Sequence, residues 1–189
     1  MKKYIFLVAA FATVICAGCS DPAIGDVYGD VFIYMPQATH NLGTDNNLNL
    51  TLSAAAVAKN PSLCTQTTLG IYRSSTQKKE RVTVELVINT DTLTKAKAIA
   101  LATDAPEVFS IYKTGVLLEP QYYDPLPDKL TIEDGSREAT TQLVLHNKAI
   151  FDKYSPGQLL LLPVQIKNPT KYALKESLSL SMVVISIEN

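Results

Sequence analysis

Few residues in this chain have the type and spacing that chemistry needs, and each group can be tested against what that chemistry requires. Cys16 and Cys19 stand as C-x-x-C in "ICAGCS", the spacing of a redox pair or of half a zinc site. A redox pair belongs at the turn between a strand and a helix of a βαβ unit, whereas these two end an apolar leader. The two histidines, His40 and His146, have no cysteine, histidine or carboxylate at ligand spacing, so no metal is expected and both read as exposed loop residues. There is no G-x-S-x-G and no glycine-rich phosphate loop, so no cofactor is expected. Asp124, Asp128, Glu133 and Asp134 cluster without the D-x-D-x-D-G pattern of a calcium loop, and Glu133-Asp134-Gly135 reads as a turn. No two carboxylates are singled out for glycoside cleavage, although a small hydrolase with an unrecognised pair is a reading to test. Tyr122 and Tyr123, between Gln121 and Asp124, are the candidate ligand-binding residues, because sugar rings stack on aromatic faces and amides and carboxylates bond hydroxyls. Neighbours on an extended segment point opposite ways, so one of these tyrosines is expected in the core.

The N-terminus explains the cysteines differently. Lys2 and Lys3 precede an uncharged run over residues 4–17, too short for a membrane span of about 20 residues, and small residues follow just before Cys19. This is the layout of an export signal, and "CAGC" resembles a bacterial lipobox, with Cys16 standing where leucine is commonest. Residues 1–18 are therefore expected to leave as a lipoprotein signal peptide, with Cys19 lipidated as the first mature residue. The membrane, through that lipid, is the first expected partner. Loss of Lys2 and Lys3 takes the formal net charge from −1 to −3. Residues 19–30, with Asp21, Asp26 and Asp30, read as a tether, and these scattered early acids resemble a surface-export signal, so an outer-membrane lipoprotein at the cell surface is expected, with the periplasmic face as the alternative. Cys64 is then the one other thiol, expected to be buried as a small hydrophobe.

Balanced charge, with 17 basic and 18 acidic residues and no like-charge block longer than "QKKER" at 77–81, excludes nucleic acid as a partner. Residues 31–189 read as one domain with a dominant period of two. "VFIYM" opens it. "LNLTLSAAAVA" sets Leu48, Leu50, Leu52, Ala54 and Ala56 on one face, and "RVTVELVIN" does the same with Val82, Val84, Leu86 and Ile88. A helix is expected after Asp91 as its N-cap, with Leu93, Ala96, Ile99 and Ala100 at helical spacing. A proline-rich crossing loop follows, then "KLTIEDGSREATTQLVL" as a hairpin turning at Asp134-Gly135, a helical turn or loop in "NKAIFDKYSPG", and two long closing strands. The leucines at 159–162 suggest burial on both faces. The expected fold is all-β, an antiparallel sandwich of about 7–9 strands with one or two short helices.

The blocks "FIYMPQA", "RVTVELVINTDTL", "YYDPLPDKLTIEDGS" and "YSPGQLLLLPVQIKN" together resemble a Bacteroidetes lipoprotein domain, the domain of unknown function 1735 family. The resemblance spans about residues 27–187. It implies an immunoglobulin-like sandwich beside the lipid anchor of surface proteins that act in glycan utilisation, and it supplies no active-site residues. "DTL" at 91–93 also resembles a short O-glycosylation motif of such exported proteins, centred on Thr92. The function expected is thus that of a non-catalytic surface lipoprotein, an adhesion or interaction module whose partner is a glycan or a surface protein. Direct carbohydrate binding through Tyr122 or Tyr123 is the alternative.

Overall fold

The computed structural model describes residues 30–38, 47–75 and 80–189. The expected leader with Cys16, the expected lipidation site Cys19, the expected tether up to residue 29, and His40 lie outside them. The described chain forms ten strands: β1 Phe32–Tyr34, β2 Asn47–Ser53, β3 Thr65–Arg73, β4 Val82–Ile88, β5 Val116–Leu117, β6 Lys129–Ile132, β7 Glu138–Leu145, β8 Leu159–Lys167, β9 Ala173–Leu174 and β10 Leu180–Glu188. Four short helices accompany them: α1 Ala54–Lys59, α2 Thr90–Ala100, α3 Ser110–Thr114 and α4 Asn147–Lys153. The strands make two sheets, ordered β7-β3-β1-β9 and β2-β10-β8-β4-β6, with β5 added beside β8. The expected all-β sandwich is therefore the fold.

Its connections differ from expectation. Apart from the run β4, β5, β6, every strand is followed by one in the other sheet. The pairings β1–β9, β2–β10 and β5–β8 are parallel and the rest antiparallel, because bonded neighbours are joined by arches and no hairpin turn fixes their direction. Asp134-Gly135 is a real turn, with Gly135 at φ 82°, but it carries the chain from β6 in one sheet to β7 in the other. The predicted hairpin is replaced by a crossing.

Burial follows from the alternation. Leu160, Leu162, Val164 and Ile166 of β8 and Val183, Ile185 and Ile187 of β10 meet Ile33, Leu69, Ile71 and Leu143 between the sheets. Leu161, Met182 and Val184 point the other way and pack under Leu93 of α2, with Ile111 and Tyr112 of α3 beside them. The six-stranded sheet is thus covered on both faces, which is why β8 and β10 read as continuous apolar runs. Each such buried side chain contributes about 1.5–3 kcal/mol. Close approach matters at Gly115, where α3 turns into β5: a Cβ there would lie 2.3 Å from Leu161 Cδ1. Pro163 fits inside β8 because its backbone faces the side where β5 gives way to β4. Its carbonyl accepts from Asn89 N at 2.9 Å on that side, so no bond to β10 is lost.

Two predicted elements change at their ends. The alternation expected through Ala56 stops at Ser53, whose side chain accepts from Ala56 N and caps α1; three successive alanines then favour helix. Asn89, two residues before Asp91, caps α2 by accepting from Thr92 N at 3.2 Å. Ile99 consequently turns outward, 44% exposed, while Leu93, Ala96 and Ala100 are buried.

At one end of the sandwich a single buried side chain ties two crossings together. Arg73, 1% exposed, donates from Nη1 to Glu80 O at 2.7 Å and from Nη2 to Ser136 O, and its backbone N donates to Arg137 O. Glu80 precedes β4 and Ser136 precedes β7, so both passages between the sheets are pinned to the end of β3. Replacing Arg73 with Met keeps most of the apolar stem but leaves both carbonyls without a charged donor. A loss of about 2–4 kcal/mol is expected in urea unfolding. A change within about 0.5 kcal/mol, typical of a surface site, would show that the crossings hold without it.

Candidate functional site

The segment carrying the candidate tyrosines is fixed by a short bridge to the end of β7. Residues 120–122 make a 3-10 turn, after which Asp124 N donates to Val144 O and His146 N to Tyr122 O, both at 2.9 Å. The bridge turns Tyr123 into the core, 7% exposed, where burial pushes its pKa up. Tyr122 is half-buried and meets Tyr154 edge to face, with centroids 5.4 Å apart. One of the pair is core, as the extended geometry predicts.

The four acids are dispersed. Asp124 bonds His146; Glu133 pairs with exposed Arg81 at 3.3 Å; Asp134 accepts from Arg81 N. Among the described residues no three His, Cys, Asp or Glu side chains gather to hold a metal ion. Asp128 lines a groove of about 430 Å³ with Leu86, Ile88, Pro120, Tyr123 and Leu126, and it is the one carboxylate there. A second groove, of about 320 Å³, contains Cys64, His146, Asn147 and Asp152. Glycoside cleavage takes two carboxylates across the bond, and neither groove has them. Cys64 is exposed, contrary to its expected burial, because it sits in the turn between α1 and β3, before the strand begins to alternate inward. It has no base, since both nitrogens of His146 are engaged elsewhere. Thr92 sits half-buried in the first turn of α2.

An aromatic row that the sequence did not point to crosses the outer face of the four-stranded sheet. Ile33 of β1 points inward, so Phe32 and Tyr34 point outward. The β1–β3 register sets Tyr34 opposite Tyr72, with ring centroids 6.1 Å apart and planes tilted by 43°. The β3–β7 register sets Tyr72 opposite Glu138, whose carboxylate hydrogen-bonds the Tyr72 hydroxyl and pushes its pKa up. Lys175 stands 5.4 Å from the Phe32 ring centroid. Further along the same face Gln142 donates to Thr68 Oγ1 at 2.9 Å. The face combines half-exposed rings with a carboxylate, an ammonium and amide and hydroxyl groups.

Residues 28–173 match the model of a family described as "-like, N-terminal domain". The chain belongs to that family. Two solved structures share its fold. One is a candidate carbohydrate-binding protein from Bacteroides ovatus ATCC 8483, 11% identical, with a TM-score of 0.55 over 84% of this chain and 37% of that one. The other is an auxiliary nutrient-binding protein from Bacteroides thetaiotaomicron VPI-5482, 19% identical, with a TM-score of 0.50 over 75% of this chain and 44% of that one. This chain thus spans less than half the length of either. No curated protein matches it.

In this member of the family His146 links the tyrosine segment to α4. Its Nε2 lies 2.8 Å from Asp124 Oδ1 and its Nδ1 3.2 Å from Gln121 O. Both partners are acceptors, so the ring makes both bonds only as the imidazolium. Its pKa is raised by the hydrogen bond to Asp124 first; burial opposes this, and the Gln121 carbonyl and the Asp124 charge add to it. A raised folded pKa means that the stability gained is fully present below the ordinary imidazole value and is lost as pH rises through the folded one. His146→Gln should therefore lower the melting temperature more at about pH 5.5 than at about pH 8.5. Equal losses at the two pH values would mean that the charge contributes nothing. Asp124→Asn should return the histidine titration, followed by NMR, towards its ordinary value.

Proposed function

We propose that this chain is a non-catalytic module of a cell-surface lipoprotein that serves glycan capture, and that its family is the one its sequence resembles, domain of unknown function 1735. The observation that carries the reading is the open row Tyr34–Tyr72 beside Glu138. Aromatic rings stack on the C–H faces of sugars, and carboxylates and amides bond the hydroxyls, so a flat face holding both suits a polysaccharide better than a closed pocket does. The carbohydrate- and nutrient-binding neighbours from Bacteroides support the same reading, as does the lack of paired carboxylates in the two grooves. Cys19 supplies the location: acyl chains at about 0.8 kcal/mol per buried methylene hold the domain on the outer membrane, facing outward. A surface protein is the other partner class this reading admits.

The groove beside Tyr123 favours a second reading, direct sugar binding at the site the sequence indicated. Ile88 lines it with a backbone that bonds neither β8 nor β6, since β4 bonds β8 through its odd-numbered residues and β6 begins only at Lys129. Calorimetry with a panel of soluble polysaccharides separates the two. Tyr34→Ala and Tyr72→Ala should each weaken binding roughly three- to tenfold, with Asp128→Asn unchanged. The opposite pattern would move the site to the groove, and no binding to any polysaccharide would leave the protein-contact form alone standing. Replacing Cys19 with Ala should shift the protein from the membrane to the soluble fraction; persistence on the membrane would sink the anchor.

A further inference from the structure

We propose that β2 is a self-pairing edge, through which a second copy of this chain extends the six-stranded sheet. The contact is separate from ligand binding on the opposite sheet. β2 ends its sheet, bonded to β10 on one side and to no described residue on the other. Its seven residues, Asn-Leu-Asn-Leu-Thr-Leu-Ser, run beside Met182 to Glu188 in unbroken register, without proline, bulge or charged side chain. Those are the devices that keep open edges from recruiting another strand, because unpaired N–H and C=O groups are otherwise a template. The other edges have them. β6 is four residues long and begins with Lys129. β9 is two residues long and is followed by Lys175. β7 begins with Glu138, and its far end is bridged by Tyr123.

The strand is also its own complement. Two copies laid antiparallel about Leu50 set Leu50 opposite Leu50, Leu48 opposite Leu52, and Asn49 opposite Thr51. The leucines share the inward face, where Leu52 is buried but Leu48 and Leu50 are only half-buried at the end of the core. A partner strand adds three leucines beside them and completes that burial. On the outer face the exposed Asn49 amide meets the exposed Thr51 hydroxyl, and no charge faces a like charge. Such a contact is isologous and closes at two copies. A single strand pair buries less than the roughly 1,200–2,000 Å² of a standard stable interface, so the dimer is weak and depends on concentration. On a membrane, where copies are confined to a plane, that suffices for pairing.

The register gives a sharp test, because residue 49 faces residue 51 of the other copy. Sedimentation velocity of the purified full chain should show a monomer–dimer equilibrium. In Asn49→Lys with Thr51→Lys each lysine faces another, and the dimer should be lost. In Asn49→Lys with Thr51→Glu each lysine faces a glutamate, and the dimer should persist or tighten. Both pairs of substitutions are at exposed positions, so both variants should melt as the native chain does. A native chain that stays monomeric at every concentration overturns the proposal. So does a Lys/Lys variant that remains dimeric, or a loss of the dimer in both variants alike.

Discussion

Arg73 carries a charge that folding removes from water, and what holds it there is a pair of carbonyls, Glu80 and Ser136, at the two points where the chain passes between the sheets. Burying a guanidinium costs several kcal/mol, and its Nε is left without a bond. The arrangement persists because the alternative is also costly. Where a strand ends and its chain arches across, the last carbonyls have no ladder partner, and an apolar residue in place of Arg73 would leave both unsatisfied. The planar fork of arginine satisfies two acceptors from different passages at once, which lysine would do less well. Once both passages are fixed, Val82 meets Ile132, and the register of β4 against β6 follows.

Because almost every connection changes sheet, turns cannot set register in this fold. Register is set instead by which face of each strand is apolar, since a slip of one residue would exchange core and solvent faces. The constraint is weakest on β8 and β10, where a slip would merely exchange one apolar face for another. Two features break that degeneracy. Pro163 permits pairing on its β5/β4 side only at the handover between those strands. Gly115 admits Leu161 where no other residue fits. A strand buried on both faces thus takes its register from a missing N–H and a missing side chain.

The same logic decides what could be read in the sequence. β4, β8, β10 and α2 were legible because their apolar spacing is local. β3 was not, since Thr65-Gln66-Thr67-Thr68 opens it with polar residues and its inward set, Leu69, Ile71 and Arg73, includes a charge whose burial depends on residues far away. The pair Asp134-Gly135 was read correctly as a turn and wrongly as a hairpin, because flanking alternation says that two strands follow but not that they share a sheet. Cys64 was expected inside because of its type; it lies outside because of its place in a turn.

The tyrosines show why an outward face is harder to read than a core. Tyr123 was singled out by its neighbours in sequence, yet two backbone bonds to β7 rotate it inward. Tyr34 and Tyr72 form a pair only because β1 lies antiparallel to β3 in one register, with Ile33 directed inward and the rings outward. The fold then restricts where such rings can meet a ligand. α2 and α3 occupy the outer side of the six-stranded sheet, so among the described residues the four-stranded sheet presents the broad outer face not covered by that layer. Aromatic rings left half-exposed there contribute less to stability than they would in the core. The two rings pair across the strands on that face, and Glu138 stands opposite Tyr72.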